Sequence, residues 1–340
     1  MSVFKEDSAP AFVLVLLVVL LGACANPEPS PYLPGARGDY LGEIPPAREM
    51  KVFAPGLITF GTHEHHLVMT PDGQEIFYVI ADRYRQHHTI IQVRREGDNW
   101  RRPEVASFSG EYNDFAPTPH PDGTALLLCS NRPLPGEPGE PGDVNIWSVK
   151  RTPDGWGEPL PLPGRVNDDS GEYNPTLAAD GTLYFQDHDG TSVEIFRAVP
   201  VDGSYPVPEK VEVINTPYPE IGPLVTPDGG TLIFSSSRPG GEGDLDFWVS
   251  FLGNDGRWGE PNNLGPSINT PSADAIITLS PDGKYLFFTH FMALDPDRLK
   301  RQPYEELVRL LGGPENGDGT VYWISSEILN GDGHRPVPRS

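Results

Sequence analysis

The sequence predicts an all-β chain folded as a β-propeller of four-stranded blades, and three observations predict it. A Pro/Ala-Asp-Gly turn recurs with Asp at 72, 122, 180, 228 and 282, at intervals of 50, 58, 48 and 54 residues, the scale of one propeller blade. A short β-rich run follows each turn: IFYVIA from Ile76, ALLLCS from Ala125, LYFQ from Leu183, LIFSSS from Leu232 and LFFTH from Leu286. The composition, 37 Gly and 39 Pro with 37% apolar residues, favours many turns between short strands over long helices.

Each unit reads as a strand into the turn, a hairpin strand, a third strand, a Gly-bearing turn and an outer strand. Asp-Gly suits such turns because glycine takes positive φ without Cβ strain and Asp bonds its own backbone. The third strands are TIIQVR from Thr89, VNIWSV from Val144, VEIFRAV from Val193, LDFWVS from Leu245 and TVYWIS from Thr320. In four units an aromatic then precedes a proline by three residues: Trp100 and Pro103, Trp156 and Pro159, Tyr205 and Pro208, Trp258 and Pro261. The fifth unit lacks this outer strand, and Val52–Phe60 (VFAPGLITF) is the segment left to supply it, which closes the ring and leaves no exposed edge. Five blades follow, near 61–110, 111–169, 170–218, 219–270 and 271–326 plus 51–60. Six stay open if part of 36–60 forms a degenerate blade.

This repeat resembles the WD40-like propeller repeat of TolB-type periplasmic proteins, over residues 51–326. The resemblance implies a β-propeller in an extracytoplasmic setting. It does not imply TolB's own role, since the sequence leaves no room for the further domain that family carries before its propeller.

The N-terminal segment agrees with that setting. Residues 11–23 (AFVLVLLVVLLGA) are an unbroken apolar run, about 20 Å long as a helix and too short for a ~30 Å hydrocarbon core. It suits the apolar region of a signal peptide. The run ends in Leu21-Gly22-Ala23-Cys24, which resembles the lipobox of bacterial lipoproteins and implies cleavage before Cys24 and a lipid on its thiol. The other readings are an ordinary signal peptide with an incidental cysteine, or a short membrane anchor. The expected organisation is a signal peptide over 1–23, a Pro-rich tether over 24–48, a propeller over 49–328 and a disordered tail over 329–340. The chain would sit in the bacterial cell envelope, anchored by lipid and exposed outside the cytoplasm, in the periplasm or at the outer membrane.

A formal net charge of −23 argues against nucleic-acid binding, which needs a clustered basic surface. Two cysteines cannot staple a disulfide framework, and Cys129 reads as a buried small hydrophobe. There is no G-x-S-x-G elbow, and Gly-rich 239–243 precedes a strand, so it is no phosphate cradle.

One regularity remains. Eight residues before each turn Asp lies an acid: Glu64, Asp114, Glu172, Glu220 and Asp274, although acids are only 48 of 340 residues. These positions start the innermost strands, so the five carboxylates are expected around one mouth of the channel. Pro117, Pro175 and Pro223 follow three of them at the same offset. Up-and-down connectivity gathers Arg132, Arg238, His65, His188 and His290 on that face. The loop 132–143 lies there too, as does the insertion 291–319, whose PYEELVRLL reads as a short helix. The repeated acids have two readings: structural acceptors of backbone N–H or arginine bonds, or an electronegative mouth for a cation or basic segment. His63 and His65 with Glu64 could serve a divalent metal. However, His65 aligns with Phe115, Tyr173 and Ile221, and no comparable ligand spacing supports a metal or cofactor.

The expected function is a non-catalytic, monomeric binding module that holds an envelope protein, peptide or glycan on its acid-rimmed face. The alternative is a polysaccharide-processing lyase or hydrolase with a His/carboxylate site on that face.

Overall fold

Five antiparallel sheets form the blades, as the repeat predicts. The computed structural model describes residues 30–330 apart from 137, 138, 140, 169, 189, 292–295, 315 and 317. The signal peptide, Cys24, the start of the tether and all but the first two residues of the tail lie outside the described residues.

The innermost strands are Glu64–Met69, Asp114–Pro119, Gly171–Leu177, Glu220–Val225 and Ala273–Leu279. Each pairs with the run after its turn, and that run pairs with the third strand. In all five turns the Asp accepts the N–H two residues on, from Gln74, Thr124, Thr182, Gly230 and Lys284. The glycine after it always has positive φ, between 65° and 83°, which explains the residue pair at each position. The outer strands are Gly155–Pro161, Pro208–Lys210 and Asn262–Asn263 in blades two to four, and Lys51–Val52 pairs with Thr320–Ser325 in blade five. That last strand is shorter than VFAPGLITF because the chain turns at Ala54–Thr59, where Gly56, Leu57, Ile58 and Thr59 close local backbone bonds.

Blade one is larger than expected. Its third strand, His88–Glu96, pairs with both Asn99–Arg101 and Glu104–Val105, and Tyr32–Arg37 adds a further strand outside. The tether expected over 24–48 is therefore structured from Tyr32. Leu33, Ala36 and Leu41 are buried, and Gly38 accepts the Trp100 indole N–H at 2.8 Å. Three widely spaced small apolar residues give no periodicity to read.

Five hydrophobic clusters hold the blades together, one between each neighbouring pair, including blade five against blade one through Phe287, Trp323, Tyr78 and Trp100. Trp147 and Trp248 belong to these interfaces. Cys129 is fully buried, and burial pushes its thiol well up. The insertion carries the helix Tyr304–Gly312. Among the described residues no helix is long and apolar enough to cross a membrane.

A second device joins the blades. Asn167, Asn215 and Asn269, each five residues before an acid, accept the backbone N–H of Ile146, Ile195 and Phe247 and donate back to the same residue's carbonyl. Each asparagine thus clamps the third strand of the blade just left. In blade one's crossover Ser109 does half of this, accepting the Ile90 N–H at 3.0 Å. Replacing Asn269 by Ala leaves the buried Phe247 N–H unpaired, while the Phe247 carbonyl keeps the Leu264 N–H. It is expected to cost ~1–3 kcal/mol, measured as a fall in the denaturant midpoint at unchanged m-value.

Candidate functional site

The five acids reach equivalent places at the starts of the inner strands, and each is 0% exposed. In every blade the carboxylate accepts the N–H of the residue four before it: Phe60, Gly110, Asp168, Thr216 and Thr270. The expected acid-lined mouth is thus corrected. The acids fasten each incoming crossover to the strand it leads into, and, Glu172 Oε2 apart, their bonds are spent inside the protein. A carboxylate cannot be buried without such partners.

The remaining partners differ by blade. Glu64 takes two more backbone N–H bonds, from Gly61 and Thr62, and the Thr62 hydroxyl. Asp114 accepts Arg132 Nη2 at 2.6 Å, while the same nitrogen bonds the Phe108 carbonyl and Nε bonds Ser130. Arg238 repeats this in blade four with Glu220, the Ile214 carbonyl and Ser236. Both guanidinium groups lie 5.3 Å from a tryptophan ring, Trp147 and Trp248, a cation–π contact that adds to the pair. Asp274 is bonded by Thr270 and by His290 Nδ1. Arg132 and Arg238 are therefore internal partners of the acids. Burial still raises Glu220, with Thr216 and Arg238 pulling it back.

Among the described residues, blade three brings no guanidinium or imidazole to its acid. Glu172 Oε1 accepts the Asp168 N–H at 3.3 Å and Ser170 Oγ at 3.4 Å, and its buried Oε2 has no hydrogen-bond partner. Opposite it in the sheet stands Asp187, where blades two and four place Ser130 and Ser236. Burial pushes the Glu172 carboxyl up to about 9, and Asp168 and Asp187 push the same way.

The histidines do not converge on one site. His290 is committed to Asp274, and His188 is exposed at the end of its strand in blade three. His65 is buried among His63, His66 and His88, with ring centroids 5.4–5.9 Å away. The belt continues from His88 to Phe115 and Tyr173, so His65 occupies the aromatic position that repeat alignment gives it. Burial is the first cause holding these imidazoles neutral: His63 falls to about 4, His66 to about 3, and His65 well below its ordinary value.

The cavity lies at the other end of the axis. Two residues after each acid the backbone turns left-handed, at His66, Ala116, Asn174, Gly222 and Ile276, with φ between 51° and 59°. The pairing register shifts there in all five inner strands, the mark of a β-bulge. The bulge bends each strand, and residues past it wall an axial cavity of about 270 Å³. Pro175, Pro223, Val68, Leu224, Val225 and Ile277 make it mostly apolar, and Pro71, Pro121, Pro227 and Pro281 of the Asp-Gly turns frame its end. Of its polar groups, Thr118 and Thr278 hydroxyls donate to the Pro175 and Leu67 carbonyls of neighbouring blades. Asn174 donates to Gln186, and Ser280 to Asp282. His66 Nδ1 is buried and has no hydrogen-bond partner. The [DE]-x-x-P signature pointed to this wall, because its prolines are the residues just after the bulge. Nothing in the sequence marked the bulge itself.

No protein-family model matches the chain, and no curated protein matches it. Solved structures of similar architecture include a TolB candidate from Agrobacterium tumefaciens, at 18% identity and TM-score 0.48, covering 77% of this chain and 90% of that one. TolB from Acinetobacter baumannii shares 16% identity at TM-score 0.43, covering 78% of this chain and 54% of that one, so the chain spans about half its length. A gluconolactonase from Xanthomonas campestris shares 15% at TM-score 0.43, covering 84% and 98%. The likeness is one of architecture.

The buried imidazoles set a pH dependence. They are neutral in the fold and protonate near pH 6.5 when unfolded, so their contribution is present above that pH and lost as pH falls toward 4 and 3. Each excluded proton costs about 1.4 kcal/mol per pH unit below 6.5. His65→Phe, the residue type blade two carries at Phe115, should therefore lessen the stability lost between pH 6.5 and 5, read by urea unfolding at both pH values.

Proposed function

We propose that the chain is a lipid-anchored binding module of the cell envelope that captures an apolar segment of a protein or peptide in its axial cavity. One observation carries the reading: a preformed, mostly apolar cavity on the axis of a rigid wheel. At about 270 Å³ it falls just under the ~300–1,000 Å³ of small-molecule sites, and suits one or two large side chains. A glycan carries hydroxyls on every side and would leave them unpaired against proline and aliphatic walls. An apolar peptide side chain meets the lining, burying its surface against prolines and aliphatic residues. The enzyme reading requires His65, His188 and His290 to share a site, and they stand in three different blades with His290 bonded to Asp274.

Two experiments test this. Thr176 is buried in the cavity wall, and Thr176→Phe fills the space. In pull-downs from envelope extract the full chain should retain a polypeptide that the variant loses at least tenfold, with a melting temperature within about 3 °C of wild type. An unchanged retained set overturns the cavity as the site. For the anchor, Cys24→Ser should move the protein from the detergent phase to the aqueous phase and remove a diacylglycerol mass from its N-terminal peptide. Partitioning that does not change sinks the lipidation.

A further inference from the structure

We propose that blade three holds a hard divalent cation, of calcium type, between Asp168, Glu172 and Asp187, in the place that Arg132 and Arg238 fill in blades two and four. One oxygen from each acid lies within 4.8 Å of the others. Acidic clusters are common on protein surfaces, and this one differs in a specific way. Glu172 is fully buried, and its Oε2 has no hydrogen-bond partner. In the other four blades the equivalent carboxylate is met by a guanidinium, an imidazole or a fan of backbone N–H groups.

The comparison between blades locates the seat. Arg132 and Arg238 each bridge the acid and a carbonyl six residues before it, Phe108 or Ile214. By repeat offset, Val166 supplies that carbonyl in blade three. The arginine falls ten residues after the turn Asp, and in blade three that position is Gly190, which has no side chain. Across the strand pair, the serine of blades two and four becomes Asp187. The charge pattern is thus inverted: the positive side chain is gone and a second and third carboxylate stand in its surroundings. Ser170 Oγ bonds Asp168, Glu172 and Asp187, so a hydroxyl oxygen sits among them.

The donor set is all oxygen, which selects calcium-type ions over zinc or copper. Three carboxylates, a hydroxyl and a carbonyl fall short of the six to eight ligands calcium takes, so water completes the shell. Asp168 is exposed and Asp187 half-buried, which gives the ion a path in from solvent. Sequence reading offered no metal here, because the ligands come from a crossover, an inner strand and its partner strand, with no short spacing to recognise. The ion would fasten the crossover from blade two to the inner strand of blade three.

The test uses the full chain, stripped with chelator and titrated with calcium chloride by calorimetry and thermal melting. A single saturable site with Kd ~10⁻⁴–10⁻³ M is expected, the range of extracellular modules, together with a rise in melting temperature. Asp187→Ser, which installs the residue of blades two and four, and Asp168→Asn, at an exposed position that folding tolerates, should each weaken binding at least tenfold. Glu212→Gln, at another exposed acid, should leave it unchanged. No saturable response in wild type, or the same affinity in Asp168→Asn, overturns the proposal.

Discussion

A buried carboxylate that accepts the backbone N–H four residues before it is the constraint on which this wheel depends. The bond recurs in all five blades. It works together with the clamp five residues before the acid, where asparagine grips the blade just left. Adjacent residues of one crossover therefore hold two successive blades. Hydrophobic clusters between blades supply most of the cohesion, but they are non-directional. The paired polar ties fix the angle at which each blade follows the last, because breaking one strands a buried charge or amide.

The same tie shapes the cavity. With the acid directed back toward its loop, the strand has to recover its course toward the turn, and it does so through a left-handed residue two positions on. For Ala116 and Ile276 this conformation is unfavourable by roughly 1–2 kcal/mol per residue. Such strain persists only where surroundings over-determine it, and here the acid on one side and the Asp-Gly turn on the other do so. The outcome is a division of labour along the axis. One end is locked by charged and amide ties, and the other is a smooth apolar chamber framed by prolines. Walls this constrained leave little to reorganise, and a preformed chamber is the kind that lowers the entropy cost of capture.

How much of this was legible follows from what each feature rests on. The blades were readable because Asp-Gly turns need particular residues at particular φ, and those residues recur visibly at 72, 122, 180, 228 and 282. The ring of acids was readable as a regularity, but its orientation was not. Burial of Glu64 or Asp114 depends on where a loop folds over it, and no local pattern states that. Arg132 and Arg238 could be matched to the acids by offset, whereas His290 reaches Asp274 from the neighbouring strand at a different offset from the turn. Asn167, Asn215 and Asn269 were visible in three copies and went unread, since asparagine is ordinary in loops. The strand Tyr32–Arg37 was hidden by its Pro34-Gly35 pair, and becomes a strand through burial of Leu33 and Ala36 against Trp100.

The five blades solve one electrostatic problem in different ways, and the differences carry information that the shared fold does not. Backbone N–H groups neutralise Glu64 without any titrating partner. Arginine does so for Asp114 and Glu220 and stays charged at every pH the protein meets. Asp274 is met instead by the His290 ring, through Nδ1. Blade three has a carboxylate of the same burial opposite Asp187, where blades two, four and five place Ser130, Ser236 and His290 and blade one Ile80. A repeat protein stabilised by nearest-neighbour contacts is only as firm as its weakest interface. The join between blades two and three is therefore the one whose strength depends on something from outside the chain, and the four neighbours show what that something must supply: positive charge, in a seat bounded by oxygen.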